Sequence, residues 1–160
     1  LITNLEHIGD VIDKNLRELA EKKIRKRYSF SPEGLAEIRD FHHRVASALA
    51  LALNVFATRD LELARQLFAD KAAMRDAERR ATDSHFQRLR SGRAESIETS
   101  AIHLDIIRDL KRIHGHIVSI AYPILESANE LRESRLRDTK AAAAQREMPA
   151  VLIPAAHSGG

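Results

Sequence analysis

The chain has 160 residues, of which 44% are hydrophobic and only 4% aromatic, so it suits one domain with an aliphatic core. Its 26 basic and 23 acidic residues give a net charge of +3. This is a mixed surface, without the basic stripe and recognition motif of a nucleic-acid-binding protein. The absence of cysteine excludes disulfides and thiolate metal sites. Because an amphipathic pattern is already under way at Leu1, we expect the chain to be a piece of a longer protein.

The first predicted helix runs from about Ile2 to Arg25. Its apolar residues recur at steps of three and four, as on one face of a helix: Leu5, Ile8, Ile12, Leu16 and Leu19. We expect this stripe to pack within the same chain as one member of a bundle.

Two further long helices are predicted in the stretch from Leu35 to Ser91, which contains neither glycine nor proline. The second helix begins at Pro32 with Ser31 as its N-cap, and the third begins at Leu61 with Asp60 as its N-cap. Gly92 is the expected stop of the third helix.

The second helix contains the longest apolar run, Val45 to Ala57. Ser47 and Asn54 interrupt this run, and it falls short of the ~20 apolar residues that cross a membrane. We therefore interpret it as a central helix of the bundle.

The last long helix is predicted to begin near Arg93 or Ala94, with a kink at Pro123. Its seam follows steps of three and four: Ile106, Leu110, Ile113, Ile117, Ile120 and Ile124. No segment shows the alternating pattern of a strand. The sequence thus predicts an all-α, antiparallel up-down bundle of about four long helices over residues 1–136. Residues 137–160 form an Ala-rich tail with Pro and Gly, which we expect to be flexible.

Glu6 and Asp10 are a candidate metal site, because two carboxylates one helical turn apart can share a cation. The alternative is a solvated acidic face near a helix N-terminus. A similar segment later in the chain carries Lys111 and Gly115 at the equivalent positions. We therefore expect weak or no binding of a divalent or ferric ion, and no other cofactor.

A second acidic pair, Asp105 and Asp109, has the same four-residue spacing, but Arg108 and Arg112 make ion pairing the better interpretation. The histidines are placed poorly for metal binding. His114 and His116 are two residues apart on different helix faces, and His42 and His43 are adjacent. Single histidines on a bundle seam are usually partnered core residues.

The densest basic segment is Lys22 to Arg27. It is most simply a helix C-terminus, where cations are favoured by the helix dipole. It is also able to meet an anionic membrane surface. Neither a nucleophile turn nor a phosphate-cradling loop is present, so no catalytic residue is predicted.

The segment Asn4-Leu5-Glu6-His7-Ile8-Gly9-Asp10 resembles the acid-x-x-x-acid signature of PhoU-type phosphate-regulatory proteins. Those proteins consist of two three-helix repeats with one such signature on each third helix. By this resemblance, Leu1 to Arg25 is the end of a first repeat and Ser31 to Leu131 is a second repeat. The resemblance also implies a carboxylate metal role for Glu6 and Asp10.

Several collinear segments are similar to the cytoplasmic C-terminal domain of bacterial sodium/phosphate cotransporter-family proteins: Glu33 to Arg39, Leu51 to Phe56, Ser96 to Ser100 and His103 to Ile113. This resemblance implies a non-catalytic domain that regulates phosphate uptake or homeostasis at the cytoplasmic face of the inner membrane. Its implied partners are the membrane domain of the same protein and a second copy of itself.

Two alternative functions are a carboxylate metal-binding bundle and a purely structural dimerisation module. Di-metal carboxylate bundles use Glu-x-x-His pairs. This chain contains none, which argues against the metal-binding alternative.

Overall fold

The computed structural model describes residues 2–129, which are helical apart from short connections and include no strand. The first rod is continuous and comprises α1 (Ile2–Asp10), a π-helical segment (Val11–Leu16) and α2 (Arg17–Arg25). The remaining elements are α3 (Pro32–Thr58), α4 (Leu61–Arg90), α5 (Ala94–Glu98), α6 (Ser100–Val118), a 3₁₀ turn (Ser119–Ala121) and α7 (Tyr122–Ser127). The prediction of an all-α bundle is confirmed.

Both predicted N-caps are confirmed. The backbone N–H of Gly34 donates to Oγ of Ser31 over 3.2 Å at the start of α3. The N–H of Leu63 donates to Oδ1 of Asp60 over 2.9 Å at the start of α4. Between the two helices, Arg59 adopts the left-handed conformation with φ of 55° and ends α3.

The prediction of one continuous last helix is wrong. The chain leaves the helical path at Thr99, between α5 and α6, where the Thr99 hydroxyl donates to the carbonyl of Glu95 over 2.6 Å. The backbone N–H of Thr99 donates to the same carbonyl over 3.1 Å, and Thr99 has φ of −97° and ψ of 3°. The predicted irregularity near Pro123 is present as the 3₁₀ turn before α7, since proline has no N–H to continue the backbone bonds.

The core lies between α3, α4 and α6, and the first rod packs along α6. Fully buried aliphatic and aromatic side chains fill it, among them Phe41, Val55, Leu67, Met74, Ile117 and Val118. The first rod is antiparallel to α6, because Asn4 bonds to Ser119 at one end while Asn15 bonds to Asp109 further along. The predicted boundary at residue 136 and the tail of residues 137–160 lie outside the described residues.

The predicted apolar stripe of the first rod is rotated from its expected position. Leu5 and Ile12 are 45% and 51% exposed, whereas Val11 is 2% exposed and is the residue that enters the core. The hydrogen bonds of Asn4 and Asn15 to α6 set this rotation, since both lie on the same face as Val11. The stripe therefore packs within the chain only in part, through the half-buried Ile8 and Leu16.

No helix within residues 2–129 is both long and apolar enough to cross a membrane. The run from Val45 to Ala57 instead supplies core residues of α3, including Ala48, Ala52 and Val55.

Candidate functional site

Glu6 and Asp10 are both exposed on the first rod. Oδ1 of Asp10 lies 2.9 Å from Nζ of Lys14 one turn later, and this hydrogen bond and charge lower the pKa of Asp10. At the equivalent positions in the later segment, Lys111 pairs with Glu78 and Gly115 is exposed. Asp10 is thus already paired with a lysine on its own helix.

No group of three or more His, Asp or Glu side chains in residues 2–129 is placed to hold a metal ion. Two carboxylates from one helix leave most coordination positions of a hard cation to be filled by water. Weak or absent metal binding by Glu6 and Asp10 stays a prediction, since tight binding would require ligands from outside this set.

The second acidic pair is engaged with arginine. Asp105 lies 3.0 Å from Arg108, and Oδ1 of Asp109 lies 4.0 Å from Nε of the same side chain. Asp109 is 2% exposed and also accepts a 3.3 Å bond from Nδ2 of Asn15 on the first rod. These contacts agree with the expected ion pairing, except that Arg108 rather than Arg112 faces both acids.

His114 is a partnered core residue, as predicted. It is 1% exposed, and its Nε2 lies 2.8 Å from Oδ2 of Asp70 on α4. His116 instead meets the first rod, where its ring lies 5.0 Å from the ring of His7. Burial lowers the pKa of His116, and the nearby charges of His7 and Arg112 lower it further. His42 and His43 are exposed on α3.

A buried ion cluster lies where the start of α3, the end of α4 and the start of α6 meet. Its members are Glu37, Ser84, His85, Arg88, Ser100 and His103. Arg88 donates to both carboxylate oxygens of Glu37 over 2.8 Å and to Ser84 over 2.7 Å. The side chains of Arg88 and Glu37 are only 8% and 18% exposed, so this bidentate pair is largely shielded from water.

His103 and His85 complete the buried ion cluster. Nε2 of His103 lies 3.0 Å from Oε2 of Glu37, out of line for a hydrogen bond but within ion-pair distance. The two imidazole rings stack with centroids 4.9 Å apart and planes inclined by 12°. Nε2 of His85 lies 2.9 Å from the hydroxyl of Ser100.

The electrostatics of the buried ion cluster favour a charged Glu37 and a neutral His85. Burial alone would raise the pKa of Glu37, but the contacts of its carboxylate with His103, Arg88 and Ser84 outweigh burial and lower that pKa to about 2. Burial lowers the pKa of His85, and the neighbouring His103 and Arg88 lower it further.

The Ser100–His85 contact does not form a catalytic triad. A serine nucleophile needs a histidine whose other ring nitrogen is held by an acid. Nδ1 of His85 is buried without a hydrogen-bond partner in the described part of the chain. Within the described residues the cluster thus lacks an acid that orients His85, and its contacts join α3, α4 and α6.

The buried ion cluster was not predicted from the sequence, although α4 carries a signal for it. The buried face of α4 comprises Ala64, Leu67, Met74, Ala77 and Ala81, and the same spacing continues to His85 and Arg88. Polar residues that extend a core stripe indicate a buried polar network. The partner on α3 is harder to predict, because Glu37 lies 51 residues before Arg88.

Known proteins resemble most of this chain. It is 37% identical over 130 residues to YjbB of Salmonella typhimurium, and the match covers 81% of this chain and 24% of that protein. It is 35% identical over 127 residues to YjbB of Escherichia coli K12, with 79% of this chain and 23% of that protein covered. Both relatives are named as proposed inorganic phosphate export proteins.

The chain thus spans about a quarter of the length of the curated relatives it matches. No solved structure matches it significantly. Residues 38–124, which include α4, α6 and the whole buried ion cluster except Glu37, match the PhoU domain. Because that match covers more than half of its 160 residues, the chain belongs to the PhoU domain family.

Proposed function

We propose that this chain is a non-catalytic regulatory domain of a longer phosphate transport protein, located at the cytoplasmic face of the inner membrane. The observation that carries this proposal is the PhoU domain match over residues 38–124, together with relatives named for phosphate export. In those relatives the matched segment is about a quarter of the protein, which leaves room for a membrane domain.

The packing of α6 supports a regulatory role. A polar pair links it to each of its three neighbours: Asp109 to Asn15 on the first rod, His103 to Glu37 on α3, and His114 to Asp70 on α4. Because these three pairs hold α6 at fixed positions along its neighbours, we infer that a shift of α6 is transmitted to the other helices. The proposed recipient is the membrane domain of the same protein.

The sequence and the relatives point to opposite directions of phosphate transport. The resemblance found in the sequence implies sodium-dependent uptake, whereas the relatives are named for export. Both involve phosphate crossing the inner membrane, and our proposal is that the domain sets the rate of that movement. Among the alternatives, homodimerisation is compatible with this function, and no contact in residues 2–129 favours a carboxylate metal centre.

The proposal is testable by measuring radiolabelled phosphate influx and efflux in bacteria that carry the complete gene. Matched strains carry the same gene without the segment for residues 1–129, or with Arg88→Met, which breaks the buried ion cluster. Both changes should alter the dependence of flux on phosphate supply while some flux remains. The proposal would be contradicted if strains with and without this segment showed the same flux at every phosphate supply, at equal protein levels in the membrane.

A further inference from the structure

An apolar groove lies between the first rod, α3 and α6, at the same end of the bundle as the buried ion cluster. Its volume is ≈ 490 Å³, within the range of about 300–1,000 Å³ that is typical of small-ligand sites. Seven of its ten lining residues are apolar: Leu16, Leu19, Ala20, Phe30, Ile38, Ile106 and Leu110. Five of these are half-buried and one is exposed, so the groove is open to solvent.

The other three lining residues are Lys23, Arg39 and His42, so the described residues give the groove a basic rim without an acid. Nζ of Lys23 lies 5.5 Å from the centre of the Phe30 ring, which holds the ammonium group beside the apolar floor. Within residues 2–129, neither Lys23 nor Arg39 has a carboxylate at ion-pair distance. An apolar floor with cations at its edge matches a ligand that has an apolar chain and an anionic head.

The surroundings favour a membrane as the source of that ligand. Lys23 belongs to the basic segment Lys22 to Arg27, whose other members are all exposed and whose only apolar residue is Ile24. Ile24 itself is 73% exposed. An anionic bilayer presents acyl chains and negative headgroups together, and clustered Lys and Arg side chains bind its surface.

We propose that the groove takes an acyl chain of an anionic membrane lipid, with Lys23 and Arg39 at the headgroup. The site would hold this end of the first rod, α3 and α6 against the bilayer. It deepens the proposed location at the inner membrane, but the binding test below does not depend on transport. A failure of lipid binding therefore leaves the flux experiment intact.

The test is flotation of the full 160-residue chain with phosphatidylcholine vesicles that contain phosphatidylglycerol, and with phosphatidylcholine vesicles alone. Lys23→Gln/Arg39→Gln should lower partitioning onto the anionic vesicles about tenfold or more, since each basic residue near the surface contributes about fivefold. The matched control is Arg75→Gln/Arg79→Gln on α4, which removes the same charge far from the groove. It should change partitioning by no more than about twofold, because distant charges are screened.

The apolar part is tested without disturbing the core. Ala20→Trp places a ring in the groove from an exposed position, and Ala72→Trp on the exposed face of α4 is its control. Ala20→Trp should abolish binding of dodecyl phosphate, measured by calorimetry, whereas Ala72→Trp should leave it unchanged. Inorganic phosphate should not displace dodecyl phosphate.

Three results would overturn the lipid assignment. Equal partitioning of the two glutamine double variants would show that only net charge matters. Competition by inorganic phosphate as strong as that by dodecyl phosphate would show a simple anion site. A dimer in sedimentation that Ala20→Trp dissociates would show that a second copy, and not a lipid, covers the groove.

Discussion

Replacing Glu37 with glutamine should destabilise the domain strongly, because the change removes the charge that compensates Arg88. Arg88 is 7% exposed and donates to both carboxylate oxygens of Glu37. An amide has one oxygen instead of two and no charge, so the buried guanidinium would lose its bidentate partner. Breaking a buried ion pair by removing one member costs about 3–5 kcal/mol when both groups are fully buried.

The pKa of Glu37 gives a second, independent magnitude for this loss of folding free energy. That pKa is lowered from 4.5 to about 2, and each unit corresponds to about 1.4 kcal/mol of folding free energy. Because 18% of the Glu37 side chain is exposed, solvent screening reduces the contribution, and we expect a loss of about 2–3 kcal/mol in Glu37→Gln at neutral pH. The lowered pKa means that this stability is present above pH 4.5 and is lost as the pH falls towards 2.

The assay is urea unfolding followed by circular dichroism at pH 7 and at several values down to pH 3. The wild type should lose stability across the acidic range, and Glu37→Gln should be less stable at pH 7 with a shallower acid dependence. Asp76→Asn is the control, since its ion pair with Arg79 is exposed and should contribute less than about 1 kcal/mol. The stabilising role of the buried ion cluster would be refuted if Glu37→Gln lost less than about 1 kcal/mol of unfolding free energy at pH 7. It would also be refuted if the pH dependence of that free energy in acid were unchanged.

Three further predictions concern separate features of the chain. Asp60→Ala should lower the free energy of unfolding by about 1 kcal/mol, because it removes the N-cap of α4. Asp60→Asn should keep most of that stability, because asparagine also caps helices. Equal losses for the two variants in chemical denaturation would contradict the role of the cap. Calorimetry with iron, zinc, manganese and magnesium should show weak or no binding, and tight stoichiometric binding that vanishes in Glu6→Ala/Asp10→Ala would make this a metal-dependent regulator. Sedimentation at high micromolar concentration should detect a homodimer, and a strict monomer would remove that partner from the proposal.

The sequence predicts the helices well because their boundaries depend on local chemistry. Ser31 and Asp60 cap the helices that they were expected to cap, and the glycine- and proline-free stretch forms α3 and α4. The break at Thr99 was not predicted, since a threonine inside a helix usually continues it. It coincides with a bond from the Thr99 hydroxyl to the carbonyl of Glu95, which also accepts from the backbone N–H of Thr99.

The rotation of the first rod and the buried ion cluster depend on contacts between distant residues. Periodicity places Leu5 and Ile12 on one apolar face, but bonds from Asn4 and Asn15 to α6 direct Val11 inward instead. Prediction of the buried ion cluster likewise requires the knowledge that α3 and α6 bring Glu37 and His103 to Arg88. A single sequence does not contain that pairing information.

The most direct test of the proposed regulatory role is phosphate flux through the complete protein in proteoliposomes, with and without residues 1–129. We expect the protein without this segment to move phosphate still, but with a flux that no longer follows the phosphate concentration as the intact protein does. A regulatory domain changes when transport occurs and leaves the route across the membrane in place. Identical concentration dependence in the two proteins, or complete loss of flux with correct membrane insertion, would contradict the account.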